Sequence, residues 1–328
     1  MKPLLLLAAL ILGFAPAQAV DTKGIPADQV GGFFHLGVRK LDESKFGQVL
    51  DKAFRDEVRA NRTFRALKEK LGLDLEQDLD DVFVAFYPGT DPKNPLIAGV
   101  LRGRFDVAKI EAYAKAAKIP ATAFGARTGW DLDKLGQHVE DGEVRGTTGS
   151  KPTDPTMIVF VSANTALVGG ATKLGAALEA YAGKTASFRP KADLSGPGAP
   201  FLRVEVDLEL LKTEDANGLR KGVLTIGETG PNLVATLDGQ ATSEGKAAQV
   251  ASQIKGMAGL ISLGLMDEAN KPADQLAAQR AMLELLQSLK AEAKGDHAVF
   301  AISYDAEKAA MGIVKAVVAE KVKATVGK

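Results

Sequence analysis

Residues 81–88 read DVFVAFYP, and this stretch decides the fold class. Its apolar side chains occupy both sets of alternating positions, so a strand here is apolar on both faces and belongs to a covered sheet. The Pro-Gly pair that follows predicts a hairpin to a second strand over 95–102. Gly103 then turns the chain, and apolar residues spaced by three and four predict a helix over 106–118.

The same order of strand, hairpin, strand, glycine and helix returns later in the chain. Residues 222–226 and 233–237 predict paired strands, and Gly239 leads to a helix capped near Ser243. Aligning Gly103 with Gly239 brings the two helix starts into register. We interpret this correspondence as an internal duplication.

Two further segments resemble parts of that unit. Residues 156–169 predict two strands, and 170–181 the helix after them. Residues 297–304 predict a late strand, which Asp305 caps into a long final helix. Strand pairs that are each followed by a helix indicate an α+β protein, here with two lobes of mainly antiparallel sheet and helices packed on one face.

The boundary between the lobes is predicted from composition. Residues 189–200 (RPKADLSGPGAP) concentrate proline, glycine and polar residues, which is typical of a linker. The N-terminal lobe is therefore predicted over 20–188 and the C-terminal lobe over 201–328. A second polar, glycine-rich stretch over 136–155 predicts a long exposed loop.

The first nineteen residues have the pattern of a cleavable signal peptide. Lys2 precedes an apolar run over 4–14, and Ala17 and Ala19 form a small-x-small cleavage site. The run is too short for a transmembrane helix, and so is the later apolar stretch 257–266, so the mature chain is predicted to have no membrane span. The chain has no cysteine, which excludes disulfides and an acylated-cysteine anchor. We expect a periplasmic or secreted protein.

Composition and motifs narrow the function classes. The chain has 41 basic and 41 acidic residues, without the basic excess of a nucleic-acid-binding protein. Its three histidines, His35, His138 and His297, lie far apart in sequence, and we expect structural roles for them. The acidic stretch 73–81 (LDLEQDLDD) lacks the glycine of a calcium loop and predicts a connector with its leucines inward. No catalytic, cofactor-binding or metal-binding residue is predicted, which favours a protein that is not an enzyme.

The most suggestive region is a pair of apolar helices, predicted over 250–266 and 273–294. Two such helices could cover a sheet, form a dimer face or enclose a lipid-like ligand. The residues predicted for an apolar-ligand site or interface are Val250, Ile254, Leu260, Leu283 and Leu286.

With its leader, the run GRFD over 103–106 at a helix start and its repeated units, the chain resembles uncharacterised exported α+β proteins of environmental Gram-negative bacteria. The resemblance is one of layout and implies an envelope or secreted protein. Three hypotheses follow. The first is a non-catalytic extracytoplasmic binding or assembly protein, with a protein partner or as a homo-oligomer. The second is a periplasmic carrier or chaperone-like module for an apolar ligand, and the third a hydrolase with a dispersed acidic site.

Overall fold

The structure, a computed structural model, describes residues 20–90, 94–141, 154–192, 194, 198–211, 218–265, 280 and 283–326. By their contacts the described residues fall into two compact units. The first takes those within Met1–Arg39, Asp56–Gly196 and Leu210–Lys212, and the second those within Lys40–Arg55, Pro197–Glu209 and Thr213–Lys328.

The first unit contains an antiparallel sheet in the order β1-β2-β3-β7-β6-β5-β4. Its strands are β1 (Gly32–Gly37), β2 (Leu79–Tyr87), β3 (Leu96–Gly103), β4 (Ala121–Phe124), β5 (Arg127–Asp131), β6 (Thr156–Ser162) and β7 (Thr165–Gly170).

Short and long helices connect these strands, beginning with two that follow β1. They are α1 (Val38–Glu43), α2 (Lys45–Ala60), α3 (Arg62–Ala66) continued by a π-helical turn (Leu67–Leu71), α4 (Leu75–Asp78), α5 (Val107–Ala116), α6 (Leu132–Asp141) and α7 (Ala171–Tyr181). Lys40–Arg55, which comprises the end of α1 and most of α2, belongs to the second unit by its contacts.

Helices cover both faces of the first unit's sheet. Alternate residues of a strand point to opposite faces, and here they enter two different cores. Met157 and Val159 of β6 join a core that includes Leu174 of α7. Ile158, between them, joins a second core that includes Ile110 of α5 and further residues of α6. The first unit is therefore a sheet buried between two helical layers.

The second unit contains an antiparallel sheet in the order β8-β9-β10-β12-β11. Its strands are β8 (Leu202–Asp207), β9 (Leu219–Thr229), β10 (Asn232–Ala241), β11 (Lys290–Lys294) and β12 (His297–Asp305), and its helices α8 (Glu244–Leu265) and α9 (Ala306–Val326). Residues 283–287 are also helical.

The α+β class and the mainly antiparallel sheets are confirmed. The hairpin of β2 and β3 forms as predicted, and Asp106 caps α5 by accepting a hydrogen bond from the Lys109 amide at 3.0 Å. Gly103 is required at this turn because a Cβ there would lie 1.9 Å from the carbonyl oxygen of Asp78. Several predicted elements are likewise observed: the pair β6 and β7, the pair β9 and β10, and β12 with the helix after it. The duplication and the lobe boundary at 189–200 stay predictions.

The predicted helix over 273–294 is wrong at its C-terminal end. Lys290–Lys294 forms β11, which pairs antiparallel with β12. Its sequence KAEAK alternates small apolar and charged residues, and Ala291 is buried while both terminal lysines are exposed. The pairing with β12 decides the conformation, since alanine, lysine and glutamate alone favour a helix.

The predicted loop over 136–155 is wrong at its N-terminal end. Helix α6 continues to Asp141, because Leu132, Leu135 and Val139 follow helical spacing and enter or contact the second core of the first unit. The packing of this apolar stripe outweighs the low helix propensity of Gly136. Residues 142–153 lie outside the described part of the chain.

Candidate binding surface

One face of the second unit's sheet is apolar across four strands. Directly paired residues of an antiparallel sheet share a face, so the register defines transverse rows of neighbours. Two adjacent rows contain only apolar side chains, and we call these eight residues the apolar face. They are Val204, Leu224, Leu237 and Phe300 in one row, and Leu202, Ile226, Ala235 and Ile302 in the next.

The opposite face of the same strands is largely polar. Thr225 and Thr236 hydrogen-bond to each other across β9 and β10. Lys221 pairs with Asp207 at 3.2 Å, and His297 Nδ1 lies 2.8 Å from an Asp238 carboxylate oxygen. One face is therefore apolar and the other largely polar, as expected for a sheet with one solvent-exposed face.

Helix α8 covers only part of the apolar face. Its first half packs Ala247 and Ala251 against Phe300 and Ala298 of β12, with Val250 and Ile254 half-buried beside them. Leu237 lies opposite Phe300 in the same row, yet it is 41% exposed while Phe300 is 6% exposed. The face is thus closed at Phe300 of β12 and open at Leu237 of β10.

The second half of α8 presents large apolar side chains to solvent. Among the described side chains of α8, none after Ile254 belongs to the core cluster of the second unit, and the segment 256–265 (GMAGLISLGL) contains no charge. We call the four exposed residues of this segment the distal α8 surface. They are Met257 at 55%, Leu260 at 70%, Ile261 at 49% and Leu263 at 66% exposure.

Helix α9 exposes two apolar side chains, which are two positions apart and therefore do not share a face of the helix. Asp305 caps it by accepting a hydrogen bond from the Lys308 amide at 2.9 Å, and Ala306 and Ala310 on its inner side are buried. Met311 and Ile313 are each 44% exposed. Exposed apolar residues are ordinary when scattered, but a run on one helix is typical of an interaction site.

The residues predicted from sequence separate into three groups. Val250 and Ile254 pack against the core of the second unit, together with Leu289. Leu260 points to solvent instead. Leu283 and Leu286 are half-buried in the helical residues 283–287, next to Glu284, whose carboxylate accepts a 2.6 Å hydrogen bond from the Tyr304 hydroxyl.

Ala17 and Ala19 lie outside the described residues. Leu224 and Leu237 of the apolar face were not predicted for the site. Their alternation over 222–226 and 233–237 signalled strands, but it did not indicate how far those strands would be covered.

The three histidines lie on different elements, and each has a different polar partner. His35 is buried, with Nε2 3.2 Å from an Asp81 carboxylate oxygen. His138, on α6, has Nδ1 2.7 Å from the Tyr113 hydroxyl. The hydrogen bond with Asp238 raises the pKa of His297, and burial raises that of Tyr113. Within the described ranges no group of three or more histidine, aspartate or glutamate residues could hold a metal ion.

Acidic residues of the stretch 73–81 form hydrogen bonds and ion pairs within the first unit. The Asp74 carboxylate accepts from the Glu76 amide at 3.2 Å and from the Lys68 ammonium at 2.6 Å, so it caps α4. Asp80 pairs with Arg39 at 2.5 Å. Leu79 is buried, as the connector hypothesis expected.

A cavity of about 550 Å³ lies in the first unit, between the start of α5 and the β6–β7 turn. The rings of Phe105 and Phe160 form part of its wall with centroids 5.5 Å apart. Arg127 also lines it, but its guanidinium donates a 3.0 Å hydrogen bond to the Phe160 carbonyl. The guanidinium of Arg127 therefore already has a hydrogen-bond acceptor within the protein.

Among the residues that the structure describes, no helix has the length and apolarity needed to span a membrane.

Comparisons with known proteins add little about function. No family model and no curated protein matches the chain. Solved structures of a protein named TP0453 are similar to this chain, at 11% sequence identity. Crystal form I has a TM-score of 0.43, with 90% of this chain and 97% of that chain covered. Crystal form III has a TM-score of 0.46, with 90% and 98% covered.

Proposed function

We propose that this chain is an extracytoplasmic binding and assembly protein that works without catalysis, in the periplasm or after secretion. Its binding site in this proposal is the distal α8 surface. The leader pattern ending at Ala19 supports export, because it has the charged start, apolar run and small residues of a signal peptide in order.

The observation that carries the proposal is the exposure of four large apolar side chains on one uncharged helical segment. Leu260 and Leu263 are 70% and 66% exposed, although the same helix buries Ala247 completely. Keeping leucine in water forgoes about 1.5–3 kcal/mol per side chain relative to burial. A partner that covers this surface would recover much of that free energy.

The partner proposed first is a second copy of the chain. A charged patch repels its own copy, whereas 256–265 has no charge and can face itself across a two-fold axis. The four side chains offer on the order of 400 Å² of apolar surface per copy, about the largest patch of a typical monomer. Two copies with a surrounding rim reach roughly the 1,200 Å² at which stable interfaces begin.

Sedimentation velocity over a range of protein concentrations tests this proposal. We expect a concentration-dependent dimer, which Leu260→Glu abolishes because it would bury a carboxylate in the interface. Gln253→Glu is the matched control, since it adds the same charge to an exposed position earlier in α8. A monomer at every concentration, or equal effects of both substitutions, would contradict self-assembly.

A carrier for an apolar ligand is the second candidate, and the exposure of Leu237 favours it. This side chain lies in the middle of an apolar row yet is 41% exposed, so an acyl chain could cover it. Binding of a fluorescent fatty acid that is weakened by Leu237→Gln and unaffected by Leu260→Glu would support this function. Purified protein that binds no fatty acid and yields no lipid on extraction would exclude it.

A further inference from the structure

Strand β4 is an open edge of the first unit's sheet. It stands last in the strand order, and among the described strands it pairs with β5 alone. Ala121, Thr122 and Ala123 are exposed, and Phe124 is half-buried. One side of this strand therefore presents its main chain to solvent, as an edge strand does.

The hydrogen-bond pattern shows which main-chain groups of β4 point outward. The Asp131 amide donates to the Pro120 carbonyl at 3.0 Å, so these two residues form a hydrogen-bonded pair. Such pairs alternate along an antiparallel ladder, and the next one on β4 is at Thr122. Ala121 and Ala123 lie at the positions between, so their N–H and C=O groups point away from β5. Within the described ranges, no residue forms a hydrogen bond with these four groups.

The edge of β4 lacks the usual protection against pairing with another strand. Residues 119–126 (IPATAFGA) contain no charged side chain. The edge strand of the second unit differs, because β11 exposes Lys290, Glu292 and Lys294. Charged side chains and prolines commonly protect an edge, but the nitrogen of Pro120 faces β5 and leaves the outer side open. A second β4 would therefore meet neither a like charge nor a missing donor there.

The outward groups fit a second copy of the same strand. Two β4 strands can pair antiparallel about a two-fold axis at Thr122, so that Ala121 of each copy lies opposite Ala123 of the other. The four outward groups of each copy then form four main-chain hydrogen bonds in total. A register shifted by two residues would form only two of them between the β4 strands. Thr122 faces Thr122 of the second copy in a non-hydrogen-bonded pair, with Cα atoms about 4.5 Å apart.

We propose that the first unit associates with a second copy of the chain through β4, edge to edge, in this register. The contact does not involve the distal α8 surface, so it goes beyond the proposed function and each contact can fail without the other. Because two strands of only four residues meet, the contact is weak by itself. Each two-fold contact joins two copies, so a chain that uses both contacts assembles beyond a dimer.

A disulfide between the two copies tests the register. The chain has no cysteine, so Thr122→Cys introduces its only thiol, and Cα atoms about 4.5 Å apart are within the span of a disulfide. Leu260→Glu is included to remove the distal α8 contact. We expect Thr122→Cys to oxidise to a covalent dimer at least about tenfold faster than Thr172→Cys, because pairing raises the effective concentration of the thiols. Thr172, on α7, is an exposed threonine away from the edge and provides the matched control.

Two substitutions at Ala123 show whether strand pairing causes the cross-link. Ala123→Pro removes an outward N–H and leaves the hydrogen bonds with β5 intact. Ala123→Glu keeps the N–H but adds a like charge to both copies at the contact. Each should slow the oxidation of Thr122→Cys to the rate of the control. Fluorescence of Trp130, which lies opposite Ala121 on β5, reports whether each variant is folded.

Rates are compared after correction for the reactivity of each thiol with a small disulfide reagent. Oxidation of Thr122→Cys no faster than that of Thr172→Cys overturns the inference. So does a fast cross-link that persists in a folded Ala123 variant, because it would arise without strand pairing. Sedimentation that shows no dimer through the distal α8 surface leaves this test unaffected, since Leu260→Glu already removes that contact.

Discussion

Strands β7 and β8 are both six residues long and antiparallel, but they differ in burial. Every residue of β7, in the first unit, is buried, and no residue of β8, in the second unit, is buried. β7 has a helical layer on each side, whereas the face that β8 shares with β9 and β10 is only partly covered. Equal secondary structure thus has different energetic consequences, because burial depends on what covers a strand.

The core clusters show the same contrast. The two cores of the first unit contain large side chains such as Phe33, Tyr87 and Trp130. The cluster of the second unit has Phe300 as its single large buried residue in the described ranges, and its other buried members are alanines. Since the free energy of burial scales with apolar area, the core clusters of the first unit contribute more to stability than the cluster of the second unit does.

The largest expected effect is a difference in unfolding free energy between two truncations, Leu167→Ala in the first unit and Leu237→Ala in the second. Leu167 is fully buried, so its truncation should cost about 3–5 kcal/mol. Leu237 is 41% exposed, and its truncation should cost less than about 1 kcal/mol. Urea denaturation followed by fluorescence of the single tryptophan, Trp130, reports the first unit.

Hydrogen exchange of the β9 and β10 amides reports the second unit in the same comparison. Equal losses of unfolding free energy for Leu167→Ala and Leu237→Ala would contradict the contrast between the two units.

A smaller effect is expected at the helix caps. Asp106→Ala removes a 3.0 Å cap from α5, and Ser243→Ala removes a 3.3 Å cap from α8. We expect losses of about 1 kcal/mol and about 0.5 kcal/mol respectively, because the charged and shorter cap also interacts with the helix dipole. Amide exchange in the first turn of each helix measures these losses of stability. A larger loss for Ser243→Ala than for Asp106→Ala would contradict the expected order.

The smallest effect is a pH dependence confined to the second unit. The hydrogen bond between His297 and Asp238 raises the pKa of His297 above the unfolded value near 6.5. The resulting stabilisation is complete below that unfolded pKa and is lost as pH rises through the higher folded pKa. His297 is 41% exposed, so solvent screening keeps the contribution well under about 1 kcal/mol.

Urea denaturation followed by circular dichroism at about pH 5.5 and about pH 8.5 measures this dependence. His297→Gln and Asp238→Asn should each flatten it, because each removes one partner of the same hydrogen bond. A pH dependence that persists in both variants would assign it to another group.

Local patterns were sufficient to predict much of the fold. The alternation in β2, the helix start near Asp106 and the turn between β6 and β7 each depend on residues close together in sequence. β11 was missed because its lysines and glutamate favour a helix until β12 pairs with it. The hairpin of β4 and β5 was missed because β4 has little hydrophobic pattern and only Phe124 in it is half-buried.

The candidate site was predicted only in part. Leu260 was selected because it belongs to an apolar helical stripe, and it is exposed. Val250 and Ile254 belong to the same helix but contact the core. Helical spacing does not distinguish the packed residues Val250 and Ile254 from the exposed Leu260. The difference arises because only the first half of α8 packs against β11 and β12.

The sequence by itself determined the periodicity of the strands and helices, the caps, the lack of thiol chemistry and the even balance of charge. Each of these depends on residue identity or on neighbours within a few positions. Only the tertiary structure decided which apolar surfaces are covered and that Ile25 is fixed in a core. Those outcomes depend on contacts between residues far apart in the chain, which no local pattern encodes.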